Sequence, residues 1–417
     1  MRKLHILKFG GTSVGNLERI NKVADIVAIY KRRKQLEVVV VVSAMGDTTD
    51  NLIELAKKVN PSPPDRELDM LISTGEQVSG ALLAMALHKK GIKAISFTGP
   101  QVGIITDVYH TKAKVLKIER KRIERELEEG KVVIVAGFQG VTPEREITTL
   151  GRGGSDLSAV ALGVSLGAEI CEIYTDVEGI FTADPRIVPE AVKIECITFD
   201  EMLELAAKGA QVLQTRAVEL AKKFNLSLHV RSSFTKKEGT IIMGKKSILE
   251  EPVVRGIALA TDEVKITVCN VPDRPGVAAH LFEPIAEEGI NVDMIVQNVS
   301  HRKVTDISFT VNKNEAHRAC TITKKVAKGL GAGKVVADED IAKVSIVGVG
   351  MRSHSGVAAA VFKALAKNKI NIEMISTSEI NISCVVRKEE GEVAVNILHK
   401  AFGLGSRRKQ VKNKEKK

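Results

Sequence analysis

Five short segments hold residue types that could do chemistry. The first is Lys8-Phe9-Gly10-Gly11-Thr12-Ser13. Two adjacent glycines let the backbone approach a phosphate and turn N–H groups toward it, while a lysine at a strand end adds a compact positive charge. The second, Gly151-Arg152-Gly153-Gly154-Ser155-Asp156, opens an apolar helical stretch. Three glycines, a hydroxyl and a helix N-terminus form an anion cradle, and the arginine offers a planar clamp for carboxylate or phosphate. Asp156 could cap that helix, but a cap explains neither Arg152 nor the glycine cluster. The third runs from Tyr174-Thr175-Asp176 through Gly179 and Phe181 to Asp184-Pro185-Arg186, and reads equally as a nucleotide rim or a solvated connection. Ser43 to Asp50 (with Gly46 and Thr49) and Ser73-Thr74-Gly75-Glu76-Gln77 are hydroxyl and carboxylate clusters that could be capping motifs alone. The Walker pattern and the protein-kinase sequences His-Arg-Asp and Asp-Phe-Gly are absent. There is no nucleophilic triad, and the nine histidines are scattered without metal-ligand spacing, so no metal site is expected from side chains alone. Glycine cradles, single basic residues and several carboxylates together fit phosphoryl transfer, which mainly requires positioning and charge neutralisation.

These segments need elements to hold them. His5–Phe9 and Glu37–Ser43 read as buried strands, and Leu17–Arg33 between them has apolar residues at Ile20, Val23, Ala24, Val27 and Tyr30, one face of a helix. The alternation continues with a helix over Gln77–Lys89, a strand over Ala94–Phe97 and a charged helix over Val115–Glu129. A strand over Val132–Gly137, a helix over Leu157–Leu166 and a strand over Glu172–Thr175 follow. Alternating strands and helices predict an α/β fold, a mostly parallel sheet covered by helices on both faces, with ligands beyond the carboxyl ends of the strands. The glycine motifs fall at those ends.

After about Glu250 an internal repeat begins. Gly276-Val277-Ala278-Ala279, Phe282, Ala286, Ile290-Asn291 and Met294-Ile295 match Gly356-Val357-Ala358-Ala359, Phe362, Ala366, Ile370-Asn371 and Met374-Ile375 at a constant offset of 80. Each copy reads strand-helix-strand-strand-helix, close to the split β-α-β plan, so this half is a tandem pair of small α+β modules. The expected division is 1–250, 251–338 and 339–405, with a basic tail over 406–417.

Composition narrows the class. The chain has 417 residues and a net charge of +11. Seven basic residues against one acid in 406–417 carry +6 of that excess, and aromatics make up only 3%, so nucleic acid is not the expected partner. Five cysteines, none in a Cys-x-x-Cys pair, point to a reducing compartment. No stretch approaches about 20 apolar residues, so a protein with no membrane partner, in the cytoplasm, is expected.

Lys8-Phe-Gly-Gly-Thr-Ser, Val-Val-Ser43-Ala-Met-Gly, Ser73-Thr-Gly-Glu-Gln, Ala136-Gly-Phe-Gln-Gly140, Thr149-Leu-Gly-Arg-Gly-Gly-Ser-Asp156, Tyr174-Thr-Asp-Val-Glu-Gly and Thr182-Ala-Asp-Pro-Arg186 resemble, in order and spacing, the aspartate kinases of the amino-acid kinase superfamily. The second half resembles the paired ferredoxin-like ACT modules of that family, Ser376-Thr-Ser-Glu-Ile380 included, and the match runs from Lys3 to about Leu404. The resemblance implies ATP-dependent phosphorylation of L-aspartate to 4-phospho-L-aspartate, the entry to lysine, threonine and methionine synthesis. It implies Lys8 and Asp156 as catalytic residues with Mg²⁺ nearby. Lys8, Phe9, Gly10, Gly11, Thr175, Asp176, Phe181 and Arg186 would bind ATP. Ser43, Thr49, Glu76, Arg152, Gly153, Gly154 and Ser155 would bind aspartate, Glu76 suiting its ammonium. The ACT pair implies feedback by lysine, threonine or both, acting near Asp273, Gly276, Val277, Ala278, Asn291, Val292, Asp293 and Gln297, and near Val357, Ala358, Asn371 and Ile372. It also implies a homodimer or larger assembly through ACT pairing.

The sequence departs from the family's pattern in places. Gln211 stands where many relatives have a lysine that contacts the nucleotide, Phe181 where tyrosine is common, Leu157-Ser158 for a usual Thr-Thr, and His110-Thr-Lys for a usual His-Gly-Asn. A glutamate kinase and a catalytically weak amino-acid sensor are the alternatives. The paired ACT modules speak against the first, and Gln211 is the only support for the second.

Overall fold

Val38 to Val42 is an unbroken β-branched run with every side chain shielded from water, which only a strand covered on both faces can achieve. At roughly 1.5–3 kcal/mol for each fully buried side chain, such strands fix the core of their own sheet. They belong to an eight-stranded sheet ordered Cys196–Thr198, Thr240–Met243, Leu228–Ser232, Ile170–Thr175, Leu4–Phe9, Glu37–Val42, Val132–Ala136, Ala94–Phe97. All neighbours are parallel except the hairpin of Leu228–Ser232 with Thr240–Met243. Leu4–Phe9 lies between Glu37–Val42, the next strand in the chain, and Ile170–Thr175. The winding therefore reverses there, where open sheets form ligand crevices.

The computed structural model describes residues 3–32, 36–209, 212–244, 254–298, 303–349, 351 and 356–405. Gln211 and the basic tail over 406–417 lie outside the described residues. The chain divides into two units: Met1–Ile180 with Lys193–Ala206 and Gln211–Ser247, and Phe181–Val192 with Ala207–Ala210 and Ile248–Lys417.

In the first unit, one sheet face packs against the helices Leu17–Arg32 and Thr74–Lys89 through Leu7, Phe9, Val40, Val27, Leu83 and Leu87. The helix Gly154–Leu166 covers the other face, where Gly163 leaves so little room that an added Cβ would stand 2.7 Å from Leu226 and 3.3 Å from Ile6. A second sheet, Val115–Ile118, Ile104–Thr106, Gln139–Val141, Ile147–Thr149, leads into the Gly151 segment.

One expected element is corrected. Val115–Glu129 is not one helix: Val115–Ile118 pairs with Ile104–Thr106, and the helix is Lys121–Glu128. The charged run Glu119-Arg120-Lys121-Arg122 hid the boundary, because the alternation before it is only four residues long. The helices Asp65–Ile72 and Thr74–Lys89 follow so closely that Asp65–Lys89 is long and apolar enough to cross a bilayer by length and composition, although it carries charged residues and is no unbroken apolar stretch. Half of its most apolar window is buried inside the fold, and its Asp69 and Glu76 are held by hydrogen bonds from other elements.

The second unit contains the two modules. In the first, Val292–Gln297, Val304–Asn312, Glu263–Pro272 and Val335–Asp338 form a sheet under the helices Val277–Glu287 and Lys313–Leu330. In the second, Gly256–Ala260, Ile341–Val347, Asn381–Arg387 and Met374–Thr377 lie under Gly356–Lys367 and Gly391–Ala401. A linear cut at 251 and 339 gives Gly256–Ala260 to the first module, whereas this strand pairs antiparallel with Ile341–Val347 of the second. The first module takes its fourth strand from Val335–Asp338, after its last helix, and the second takes its own from upstream. Met294 and Met374, equivalent by the repeat, meet in one cluster with Ile341 and Val385.

Candidate active site

Lys8 is the penultimate residue of Leu4–Phe9. Side chains alternate along a strand, so with Leu7 and Phe9 directed at Leu17–Arg32, Lys8 is directed at the other face. Its Nζ lies 2.7 Å from Asp156 Oδ1, and both residues are under a tenth exposed. The contact is an ion pair rather than an aligned hydrogen bond. Two charges so far from water persist only because each compensates the other. Asp156 does not cap its helix: Gly153 is the N-cap residue, at φ 72°, and no side chain caps there. Asp156 instead occupies the first turn, where the helix dipole favours a carboxylate. Its Oδ2 accepts from Gln214 N at 3.4 Å, and Gln214 Nε2 donates to Arg152 O at 2.9 Å.

Gly151 (φ 80°) and Gly153 both need the left-handed region, which is why this loop is glycine. Arg152 between them is exposed, and its guanidinium has no partner among the described residues. Ser155 is buried, and Gly137 must lack a Cβ because one would sit 2.9 Å from Ser155 Cβ. Gly10 turns out to serve the turn itself: its N–H donates to Tyr174 O at 3.1 Å. At Gly11 an added Cβ would stand 2.9 Å from Ala44 O, so that glycine draws two strand ends together.

Glu76, in the first turn of Thr74–Lys89, is 3% exposed. Ala44 N donates to its Oε1 at 3.2 Å, and its Oε2 is buried with no partner among the described residues. Burial pushes the carboxyl up to about 7 against the opposing pull of the amide hydrogen bonds. Gly75 keeps this helix close: a Cβ there would meet Ala44 Cβ at 2.8 Å. Ser43 follows Glu37–Val42 and gives its carbonyl to Ser79 Oγ at 2.6 Å, while Thr49 is half-buried in the first turn of Thr48–Val59.

Thr175 ends its strand beside Leu4–Phe9, its Oγ1 donates to Asp176 Oδ1 at 3.1 Å, and Phe9 stacks on Tyr174 at 4.7 Å. Phe181 and Arg186 belong to the second unit. Arg186 is exposed and engages Asp184, with Nη2 to Oδ2 at 2.6 Å, and that hydrogen bond holds the Asp184 carboxyl below its usual range.

Several residues escaped the sequence reading. Asp69, Arg216 and Gln214 lie outside any glycine motif, and Gln139 stands inside Ala136-Gly-Phe-Gln-Gly140 without having been given a role. Glu172, deep in the sheet, is another. Burial pushes its carboxyl up, but hydrogen bonds from His5 and Tyr30 and the charges of Arg231 and His229 outweigh this and hold it at about 2.

In the second unit Gly276 is left-handed at φ 89° just before Val277–Glu287, whereas its equivalent Gly356 is the first residue of its helix with an ordinary φ. Val277 and Val357 are buried. Asp273, Ala278, Asn291, Asp293, Gln297 and Asn371 are exposed, and Val292, Ala358 and Ile372 lie between. Asp293 pairs with Lys208 at 2.8 Å and with the fully buried Lys343, which also pairs with Glu263. Both lysines pull the Asp293 carboxyl below its usual range against burial. Reciprocally, Lys265 of the first module pairs with Glu373 of the second. Asp293 and Glu373 are equivalent by the repeat, so each module's carboxylate meets the other module's lysine.

Among the described residues no group of three or more His, Cys, Asp or Glu is placed to hold a metal ion. Mg²⁺ commonly takes only one or two carboxylates and completes its shell with substrate phosphates and water, and Asp156 or Asp176 could serve it in that way.

The amino acid kinase family matches residues 3–232, and the ACT domain matches 261–325 and 344–402. An aspartate kinase of Pseudomonas putida is 52% identical over 408 residues, covering 98% of this chain and 99% of that protein. The fold is similar to that of E. coli aspartokinase III in complex with aspartate and ADP (R-state), at 27% identity and TM-score 0.82, covering 96% of this chain and 99% of the other. It is also similar to the same enzyme in complex with lysine and aspartate (T-state), with TM-score 0.75 at the same identity and coverage. With a buried lysine–aspartate pair and a glycine cradle at the reversal of a parallel sheet, and relatives matched from end to end, the chain belongs to the aspartate kinases of the amino acid kinase family.

Proposed function

We propose that this chain transfers the γ-phosphoryl group of ATP to the side-chain carboxylate of L-aspartate, giving 4-phospho-L-aspartate and ADP. The observation that carries the reading is the Lys8–Asp156 ion pair at the sheet's reversal, in a chain half identical to a named aspartate kinase along its whole length. A carboxylate attacking ATP brings two anions together, so the site must supply fixed positive charge and donors before the reaction begins. Lys8 does so for the transferring group, and Asp156 keeps its ammonium at the strand end. Arg152, with no competing partner among the described residues, grips a carboxylate of aspartate bidentately, aided by Gly153, Gly154 and the Ser155 hydroxyl. The orphan Oε2 of Glu76 takes the α-ammonium, with Ser43 and Thr49 beside it. An oxygen of the aspartate side chain forms the new P–O bond as the bond to the β-phosphate oxygen breaks. Mg²⁺, brought in with ATP, would neutralise charge on the phosphate oxygens.

The regulatory half of the proposal is that lysine, threonine or both bind the ACT pair and shift the enzyme between two arrangements with different activity. That E. coli aspartokinase III is known with aspartate and ADP in one state and with lysine in another supports this reading. The chain would act as a homodimer or larger assembly through its ACT modules. Val292–Gln297 and Met374–Thr377 are sheet-edge strands with Ile295 and Ile375 exposed, and exposed apolar edges invite pairing.

ADP release measured with hydroxylamine trapping, run with aspartate and with glutamate, tests the assignment. Aspartyl hydroxamate is expected with aspartate alone. None under saturating Mg-ATP would refute the reading, and glutamyl hydroxamate instead would move the enzyme to a different acceptor.

A further inference from the structure

Asp69 is fully buried, outside every motif assigned to the chemistry, and saturated with donors. Its Oδ1 accepts from Thr149 Oγ1 at 2.6 Å, and its Oδ2 accepts from Thr149 N at 3.0 Å and Thr111 N at 3.0 Å. His110 Nδ1 lies 2.9 Å from the same Oδ2. Across the loop stem, Arg216 donates to Leu150 O at 2.8 Å and Ala113 O at 2.9 Å. Leu150 N donates to Phe138 O and Ala113 N to Thr149 O, both at 2.9 Å. Every main-chain polar group of Thr149 and Leu150 is therefore engaged, two of them by ionisable side chains from other helices. The next residue is Gly151, where the arginine loop begins.

Asp69 also sits on the helix Asp65–Ile72, which runs through Ser73 into the helix bearing Glu76. That junction is pinned separately, because Gln139 Nε2 donates to Ser73 O at 2.8 Å and Gln139 lies opposite Thr149 in the sheet. One carboxylate thus ties the segment carrying Glu76 to the stem carrying Arg152.

We propose that Asp69 is a positioning residue for the phosphoryl acceptor: it fixes the Arg152 loop relative to Glu76 so that both ends of aspartate are held at once. The inference rests on the assignment of Arg152 and Glu76 to aspartate. Only an acceptor serves here, since all the groups facing Asp69 are donors or, for His110, able to donate. Asparagine has the same shape but turns an N–H₂ toward a donor.

The test uses the full-length enzyme with aspartate and ATP varied separately. Asp69→Asn is expected to raise the aspartate KM by about tenfold or more while the ATP KM stays within about twofold, the cost of a misplaced substrate group being of that order. Thr149→Val, which loses only the hydroxyl donor, should shift the aspartate KM the same way by about threefold, and Thr149→Ser should restore it. An unchanged aspartate KM in Asp69→Asn, or an equal rise in both KM values, overturns the proposal. Should Asp69→Asn not fold, the threonine pair decides, and valine behaving like serine overturns it. Arg152→Ala and Glu76→Gln run alongside: if they leave the aspartate KM unchanged, the substrate assignment itself has failed, whereas if they raise it and the Asp69 and Thr149 variants do not, the positioning role alone has failed.

Discussion

Lys8 and Glu76 are both charged residues at strand or helix ends, yet burial treats them differently. Lys8 is compensated by Asp156 at 2.7 Å, so Lys8→Ala removes the cation proposed for the transferring phosphate and leaves a buried carboxylate uncompensated. Turnover should fall by about 10²-fold or more at saturating substrates, as for loss of a preorganised charge-stabilising group, and a rate near that of the parent would remove Lys8 from the chemistry. Glu76 has no cation among the described residues, and burial holds its carboxyl at about 7 against an ordinary 4.5. The folded protein therefore binds the proton more tightly than the unfolded chain, so this group's contribution to stability declines as pH rises between those values and is unfavourable above 7. Glu76→Gln should melt at a higher temperature than the parent at pH 8, with a gain of up to about 3 kcal/mol, and show little difference at pH 5. Aspartate binding follows the opposite trend. An ammonium partner needs the ionised carboxylate, so the parent's aspartate KM should rise as pH falls through 7, and Glu76→Gln should have a high KM without that dependence. Residues of this kind were legible where they shared a segment with glycines and hydroxyls. Asp69 and Arg216 were not, because what makes them matter is a set of donors and carbonyls brought from 40 to 100 residues away.

Elements were legible where a single period ran long enough. Leu17–Arg32 and Ala94–Phe97 match their expected spans closely, and the 80-residue offset located both module cores. Val115–Ile118 was lost because four residues cannot establish an alternation beside a charged helix, and Gly256–Ala260 because nothing in five residues says which sheet will accept them. At this scale the close approaches of glycine make predictions. Gly75→Ala would drive a methyl against Ala44 at 2.8 Å and lever the Glu76 helix off the strand end. The aspartate KM should rise by about tenfold with a smaller change for ATP, measured as above; equal KM values in variant and parent would show that the helix yields without moving Glu76. In the regulatory strand Val292–Gln297, two exposed positions are not equivalent probes. Gln297→Ala should relieve inhibition by lysine or threonine without altering stability. Asp293→Ala should also destabilise, because it deprives the buried Lys343 of a partner. Unchanged inhibition curves in both variants would refute placing the effector there.

For the whole molecule, the charge excess of +11 says little about function, since most of it lies in a tail outside the described residues. The charges exchanged between modules are Lys343 with Asp293 and Glu263, and Lys265 with Glu373, and of these Lys343 alone is fully buried. Removing Lys343 takes the shared cation from Glu263 and leaves Asp293 with Lys208 alone, at a cost of about 1–3 kcal/mol for the partly shielded carboxylate left without its partner. Lys343→Met should accordingly lower the melting temperature of the regulatory unit markedly, read by calorimetry on the full chain, and a further change of Glu263 to Leu should recover part of the loss. No change in melting temperature in Lys343→Met would mean that the pairing contributes nothing.

The strand Gly256–Ala260 has a consequence in time rather than in energy. It is synthesised before the whole of the first module, yet its partner strand Ile341–Val347 is made after that module is complete. As the chain emerges, Glu263 to Asp338 can close around its own core while Gly256–Ala260 waits with an open edge. The second module then assembles around a neighbour that is already built, its two ends drawn together across a folded insert. Growth order therefore makes the first module a scaffold for the second, and a chain halted near residue 340 would end with a finished module and one stranded β-strand.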